Sequence, residues 1–94
     1  MKISMLDIST AHVSEQTAGW LDELLTKSES PISIYGKGEY GWFINVHTVD
    51  DMERENKIPE DLRLVMDFAR KRLCSWIMFD RDAETINKLP KFVW

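Results

Sequence analysis

The stretch Glu39–His47, "EYGWFINVH", decides how the rest of the chain is read. Three aromatic residues surround one glycine in a run that suits a strand. Strand side chains alternate, so Trp42, Ile44 and Val46 share one face, while Phe43, Asn45 and His47 share the other. Such a strand is an RNA-stacking platform, the middle of a core, or a patch for a protein partner. Upstream, "ISIYGK" (32–37) is a second strand, and the two form a hairpin around a tip at Gly36–Gly38.

The flanking sequence supplies two helices and two more strands. "KISMLDI" (2–8) reads as the first strand. Ser14 is a helix N-cap followed by Glu15, and Thr17, Trp20, Leu21, Leu24 and Leu25 recur at helical spacing, predicting a helix over 15–27. Pro59 opens a second helix, with Glu60 and Asp61 beside it. Leu62, Val65, Met66, Ala69 and Leu73 form its buried stripe, Phe68 flanks it, and Arg70, Lys71 and Arg72 close it. "SWIMFD" (75–80) is the fourth strand, and "AETINKLPKFVW" (83–94) is a tail with one helical turn and an extended end. The succession predicts an α+β two-layer sandwich of the ferredoxin-like βαββαβ type, an antiparallel sheet with two helices on one face and a C-terminal tail.

The third and fourth strands are apolar on both faces, whereas helices on one side cover only one. The tail, through Leu89, Pro90, Phe92, Val93 and Trp94, is expected to cover the second face, with a partner or a second copy of the chain on whatever it leaves bare.

Composition narrows the function classes. The 94 residues form a single domain, 1–94, and 44% apolar residues with four tryptophans fill one core without metal or disulfide staples. One cysteine, Cys74, excludes an internal disulfide and is expected as a buried thiol in a reducing compartment; Arg70, Lys71 and Arg72 nearby give it an alternative reading as a reactive thiol. "MKISMLDIST" is too short and too polar for a signal peptide or membrane span, so the expected location is cytoplasmic. A net charge of −4 disfavours phosphate backbones.

RNA-recognition domains share the βαββαβ succession, and Tyr40, Gly41 and Trp42 match the aromatic–Gly–aromatic core of their third strand. Against that reading, Gly38 stands where Arg or Lys is wanted and Glu39 where Gly is wanted. The first strand also offers no aromatic residue.

Asp80, Asp82 and Glu84 in "FDRDAE" have the spacing of a hard-cation site, and Asp7 resembles the acid of a phosphoryl-transfer site. An antiparallel sheet places Asp7 and Asp80 at opposite ends, leaving His47, Asp50, Asp80 and Asp82 as the alternative cluster. The preferred reading has Asp80 and Asp82 capping a turn and the helical start of the tail. His12 is preferred as a histidine bonded to a loop carbonyl or Asp7, over a general base working with Thr10. Asp50, Asp51, Glu53 and Glu55, with Arg54 and Lys57, form a solvated connection or a landing patch for a basic partner. No phosphate loop, zinc spacing or nucleophile elbow is present.

"LDISTAH" (6–12), "YGWFI" (40–44), "IPEDL" (58–62), "FDRD" (79–82) and "LPKFVW" (89–94) together resemble an uncharacterised family of small bacterial proteins often encoded on plasmids and prophages. That family has no established activity. The resemblance implies a mobile-element setting and a set of suspect residues: Asp7, Thr10, His12, Tyr40, Trp42, Asp80, Asp82 and Trp94. The leading expectation is a non-enzymatic, acidic interaction protein with no cofactor or metal. It binds another protein through Tyr40, Trp42, Asp50, Asp51, Asp80, Asp82 and Trp94, with Asp7, Thr10 and His12 in a functional loop. Its most specific form inhibits a host defence or nucleic-acid-handling complex. A metal-dependent hydrolase or phosphoryl-transfer enzyme using Asp80 and Asp82 is the alternative, and RNA binding the third.

Overall fold

The structure, a computed structural model, describes residues 4–27, 32–38, 40–46 and 57–94. Both helices start where short polar side chains or proline stop the preceding chain. The Ser14 hydroxyl accepts the Thr17 N–H at 3.2 Å and opens α1 (Glu15–Leu24), with Glu15 in the positive first turn. The helix ends before the predicted residue 27, and Leu25 is left 43% exposed. Pro59 precedes α2 (Glu60–Lys71), which carries Glu60 and Asp61 at its start and Arg70 and Lys71 at its end.

Asp61 ties the two helix starts together. One carboxylate oxygen accepts the Ser14 N–H at 2.7 Å, and the other accepts the Thr17 hydroxyl at 2.8 Å and the Leu62 N–H at 3.0 Å. Two orphan donors at helix starts and a buried hydroxyl are satisfied by one side chain.

Four strands, β1 (Met5–Ile8), β2 (Ile34–Gly36), β3 (Gly41–Asn45) and β4 (Trp76–Asp80), form a sheet in the order β1-β4-β3-β2. The β2–β3 and β3–β4 pairs are antiparallel, but β1 and β4 run parallel. The fold is α+β with a mixed sheet, and the antiparallel ferredoxin-like arrangement is corrected. Apolar alternation records which side chains are buried. It carries no information on whether a strand's neighbour runs with it or against it.

Strand register aligns two apolar rows across the inner face. Leu6, Ile77, Ile44 and Ile34 make one row, and Ile8, Phe79, Trp42 and Gly36 the other. Ile8, Ile44, Ile77 and Phe79 are fully buried, and they share one core with Leu21 and Leu24 of α1 and Leu62, Val65 and Met66 of α2. Each such side chain contributes about 1.5–3 kcal/mol on burial. Trp42 therefore belongs to the helix-covered face, which settles the alternation left open by "EYGWFINVH".

The outer face carries Asp7, Met78, Phe43 and Tyr35 in one row, with Met5, Trp76 and Asn45 beside it. Tyr35 is 60% exposed and Met5 42%, while Phe43, Trp76 and Met78 are half-buried. The tail does not lie here, contrary to expectation. It runs along the 3₁₀ turn Thr10–His12, where Ala11 O accepts the Phe92 N–H at 2.8 Å and Leu89 enters the core. The tail's few apolar residues are interrupted by Pro90 and by Lys88 and Lys91, and the carbonyls of Ala11 and Val13 offer its N–H donors partners beside the turn. Its segment 83–94 contains turns but no helical element.

Leu73 also departs from its predicted place in the α2 stripe. The helix closes with the Leu73 N–H bonded to Arg70 O and the Cys74 N–H to Ala69 O, both at 2.9 Å. This reversal requires a left-handed residue, and Leu73 supplies it at φ 60°, with its side chain 85% exposed. Cys74 beside it is half-buried against the core rather than enclosed.

Candidate functional site

Parallel pairing of β1 and β4 brings the ends of both strands to one edge of the molecule, where α1, the β2–β3 turn and the tail also arrive. A cleft of about 320 Å³ opens there. Ala18 and Asp22 of α1 line it, together with Gly38, Tyr40 and Gly41 of the turn. Trp42 lies at the base, and Thr10, Arg81 and Trp94 complete the rim.

The aromatic walls are held in place. The Trp42 indole N–H donates to Asp22 Oδ1 at 3.0 Å, and its ring meets Phe79 edge-on at 6.3 Å. The Trp94 indole N–H donates to Val13 O at 2.8 Å, leaving Trp94 53% exposed on the rim. Tyr40, 45% exposed, has two cations over its ring, Arg81 at 4.7 Å and Lys37 at 5.3 Å from its centre.

Gly41 lets the turn approach this closely. It has φ 154°, and a Cβ at that position would lie 1.8 Å from Phe79 O, so no side chain fits. Tyr40 O then accepts the Arg81 N–H at 2.8 Å, joining the turn to the end of β4.

His12 is fully buried and fastens the tail behind the cleft. The Ile86 N–H donates to its Nε2 at 2.8 Å, so the ring proton sits on Nδ1, which donates to Pro90 O, also at 2.8 Å. Both nitrogens are thereby committed to structure, and the bond to a loop carbonyl is the preferred sequence reading of this residue. Thr10, on the same turn, faces the cleft.

Asp80 is taken up locally. One oxygen accepts the Asp82 N–H at 2.8 Å, and the other pairs with the Lys37 ammonium at 2.9 Å. The Asp82 N–H first, and then Lys37, hold the Asp80 carboxyl below its ordinary value. The sign follows from linkage: folding favours the charged form, so the contribution is present above the unfolded value and lost as pH falls through the folded one. Asp80 thus caps a turn, as preferred from sequence, while Asp82 is exposed and no helix begins in the tail for either residue to cap.

Asp7 sits at the same end of the sheet as Asp80, not the opposite one, because Asp7 pairs with Met78. It is nonetheless exposed on the outer face. No cluster of three metal-ligating side chains forms among the described residues. His47, Asp50 and Asp51 lie outside the described residues, as do Glu53, Arg54 and Glu55.

Of the suspects, the structure brings Thr10, Tyr40, Trp42 and Trp94 to one cleft and places His12 behind it. It leaves Asp7 and Asp82 apart. Sequence reasoning missed Asp22 and Arg81. Asp22 sits one residue beyond the buried Leu21 on α1, a position that reads as solvated surface. Arg81 sits inside "FDRD", between Asp80 and Asp82, whose spacing carries the hard-cation pattern.

The sequence matches a family of unknown function (DUF5983, C-terminal domain) over residues 5–94, and the chain belongs to that family. No curated protein and no solved structure matches it. No helix among the described residues is long and apolar enough to cross a membrane.

Proposed function

We propose that this chain is a non-enzymatic interaction domain that holds a segment of another protein in the cleft between α1, the β2–β3 turn and Trp94. One observation carries the reading. Tyr40, Arg81 and Trp94 stand exposed around a single cleft whose Trp42 base and Trp94 rim are fixed by hydrogen bonds. Tyr, Trp and Arg dominate binding hot spots because they offer large contact areas with few rotatable bonds to immobilise. A mobile-element setting, with a component of a host defence or nucleic-acid-handling complex as the partner, is the most specific form of this proposal and rests on the family resemblance.

The alternatives draw less support. A hydrolase using Asp80 and Asp82 would need carboxylate oxygens free for a cation, and both oxygens of Asp80 are engaged. An RNA platform needs Tyr40 and Trp42 on one open face, and Trp42 is 6% exposed beneath α1.

Affinity capture with the full chain tests the proposal. Wild type is expected to retain one protein in stoichiometric amount, including a second copy of itself as a candidate. The Tyr40→Ala, Trp94→Ala double variant is expected to lose it while keeping its circular dichroism spectrum. Capture unchanged by the double variant, or no retained protein, refutes the reading.

A further inference from the structure

We propose that the cleft selects a carboxylate next to an apolar side chain on the bound segment, with Arg81 reading the carboxylate; this rests on the protein-binding reading above. The inference starts from how the charges around the cleft are matched. Lys37 is neutralised by Asp80 at 2.9 Å. Arg81, by contrast, forms no ion pair at bonding distance among the described residues: it reaches the Asp80 carboxylate only through its field, and its side chain lies against the Tyr40 ring at 4.7 Å. A cation–π contact satisfies the guanidinium's field but none of its five N–H donors. Those donors form a fork that matches a carboxylate in two-point contact, and the ring beneath restricts where the fork can go.

A second charged residue of the lining, Asp22, fixes the ligand's orientation. Asp22 is an anion, softened by the Trp42 N–H it accepts. A bound carboxylate is repelled by Asp22 and attracted by Arg81, so it sits at the Arg81 side. The apolar group then lies over Trp42, where Ala18, Gly38 and Gly41 add little side-chain bulk to the lining. The volume, about 320 Å³, lies at the lower end of the roughly 300–1,000 Å³ of ligand pockets. It therefore fits one side chain with its neighbouring backbone rather than a whole helix. The chain's net charge of −4 does not forbid an acidic ligand, because charges beyond about 8 Å are screened at physiological salt while Arg81 acts at contact.

The test is a titration of the ¹⁵N-labelled full chain followed at the indole N–H signals. The probes are acetyl-Phe-Glu-amide, its Gln and Lys counterparts, and adenosine monophosphate. The Glu probe is expected to shift Trp42 and Trp94 saturably and to leave Trp20 and Trp76 in place. The Gln probe should bind about tenfold more weakly, the loss expected for one charge-assisted contact. Arg81→Gln, which leaves the fold's hydrogen bonds intact, should erase the Glu-over-Gln preference. The inference is overturned if Gln or Lys probes bind as well as Glu, if the nucleotide binds better, if no probe shifts the two indoles, or if Arg81→Gln keeps the preference. Any of these alongside a partner lost by the Tyr40/Trp94 double variant leaves the protein-binding reading standing. Failure of the capture experiment removes both.

Discussion

The cleft and the outer sheet face are both rich in aromatic residues, and they are built differently. At the cleft, the indoles of Trp42 and Trp94 donate hydrogen bonds to Asp22 and Val13 O, and Tyr40 is braced by two cations. On the outer face, Tyr35 and Trp76 lean on each other at 5.9 Å, and no hydrogen bond holds either side chain among the described residues. A ring held by a hydrogen bond keeps one orientation and presents a fixed surface, whereas a ring held only by packing can turn to suit its neighbours. Aromatic content alone therefore does not distinguish a built site from a sheet surface; polar anchoring does.

The largest expected effect breaks the cleft side of that comparison. Gly41→Ala puts a methyl group into Phe79 O and should cost on the order of 4 kcal/mol, read as a lost or strongly shifted thermal unfolding transition. An unchanged transition would show that the turn relaxes away from β4 and that the close approach is not required. His12→Ala comes next. It leaves the Ile86 N–H and Pro90 O without partners and opens a cavity, at a cost of about 3 kcal/mol in denaturant unfolding. The Trp94 indole signal should move towards its free position in the same variant, because the tail that carries it is released; a fixed signal would show that Leu89 and Phe92 hold the tail without the histidine. Tyr35→Ala on the outer face is the smallest, costing under about 1 kcal/mol with no change at the Trp42 and Trp94 signals. A cost as large as that of His12→Ala would mean that the outer face is as firmly built as the cleft.

Much of the fold was legible in local patterns because local rules govern it. The Ser14 cap, the acidic start of α2 and the stripe Leu62, Val65, Met66 and Ala69 follow from helix spacing and the helix dipole. Leu73 fell outside that reach, since the stripe extends to it while the reversal after Lys71 takes its side chain to solvent. Residue chemistry also put Thr10, Tyr40, Trp42 and Trp94 among the suspects without any contact between them being visible. Arg81 and Asp22 were missed because an isolated charge carries no mark of what stands opposite it.

By itself, the sequence determined an α+β chain with one apolar core and the positions of its two helices and its strand segments. These depend on residues a few positions apart. Only the tertiary structure decided that β1 runs parallel to β4, that "EYGWFINVH" turns Trp42 inward under α1, and that the tail binds the turn at His12 rather than the open sheet face. Each of these is a choice among pairings of segments far apart in the chain, and such choices are settled by which arrangement buries the rows of Ile8 and Ile77 and satisfies the backbone together. The cleft exists because those choices meet at one edge.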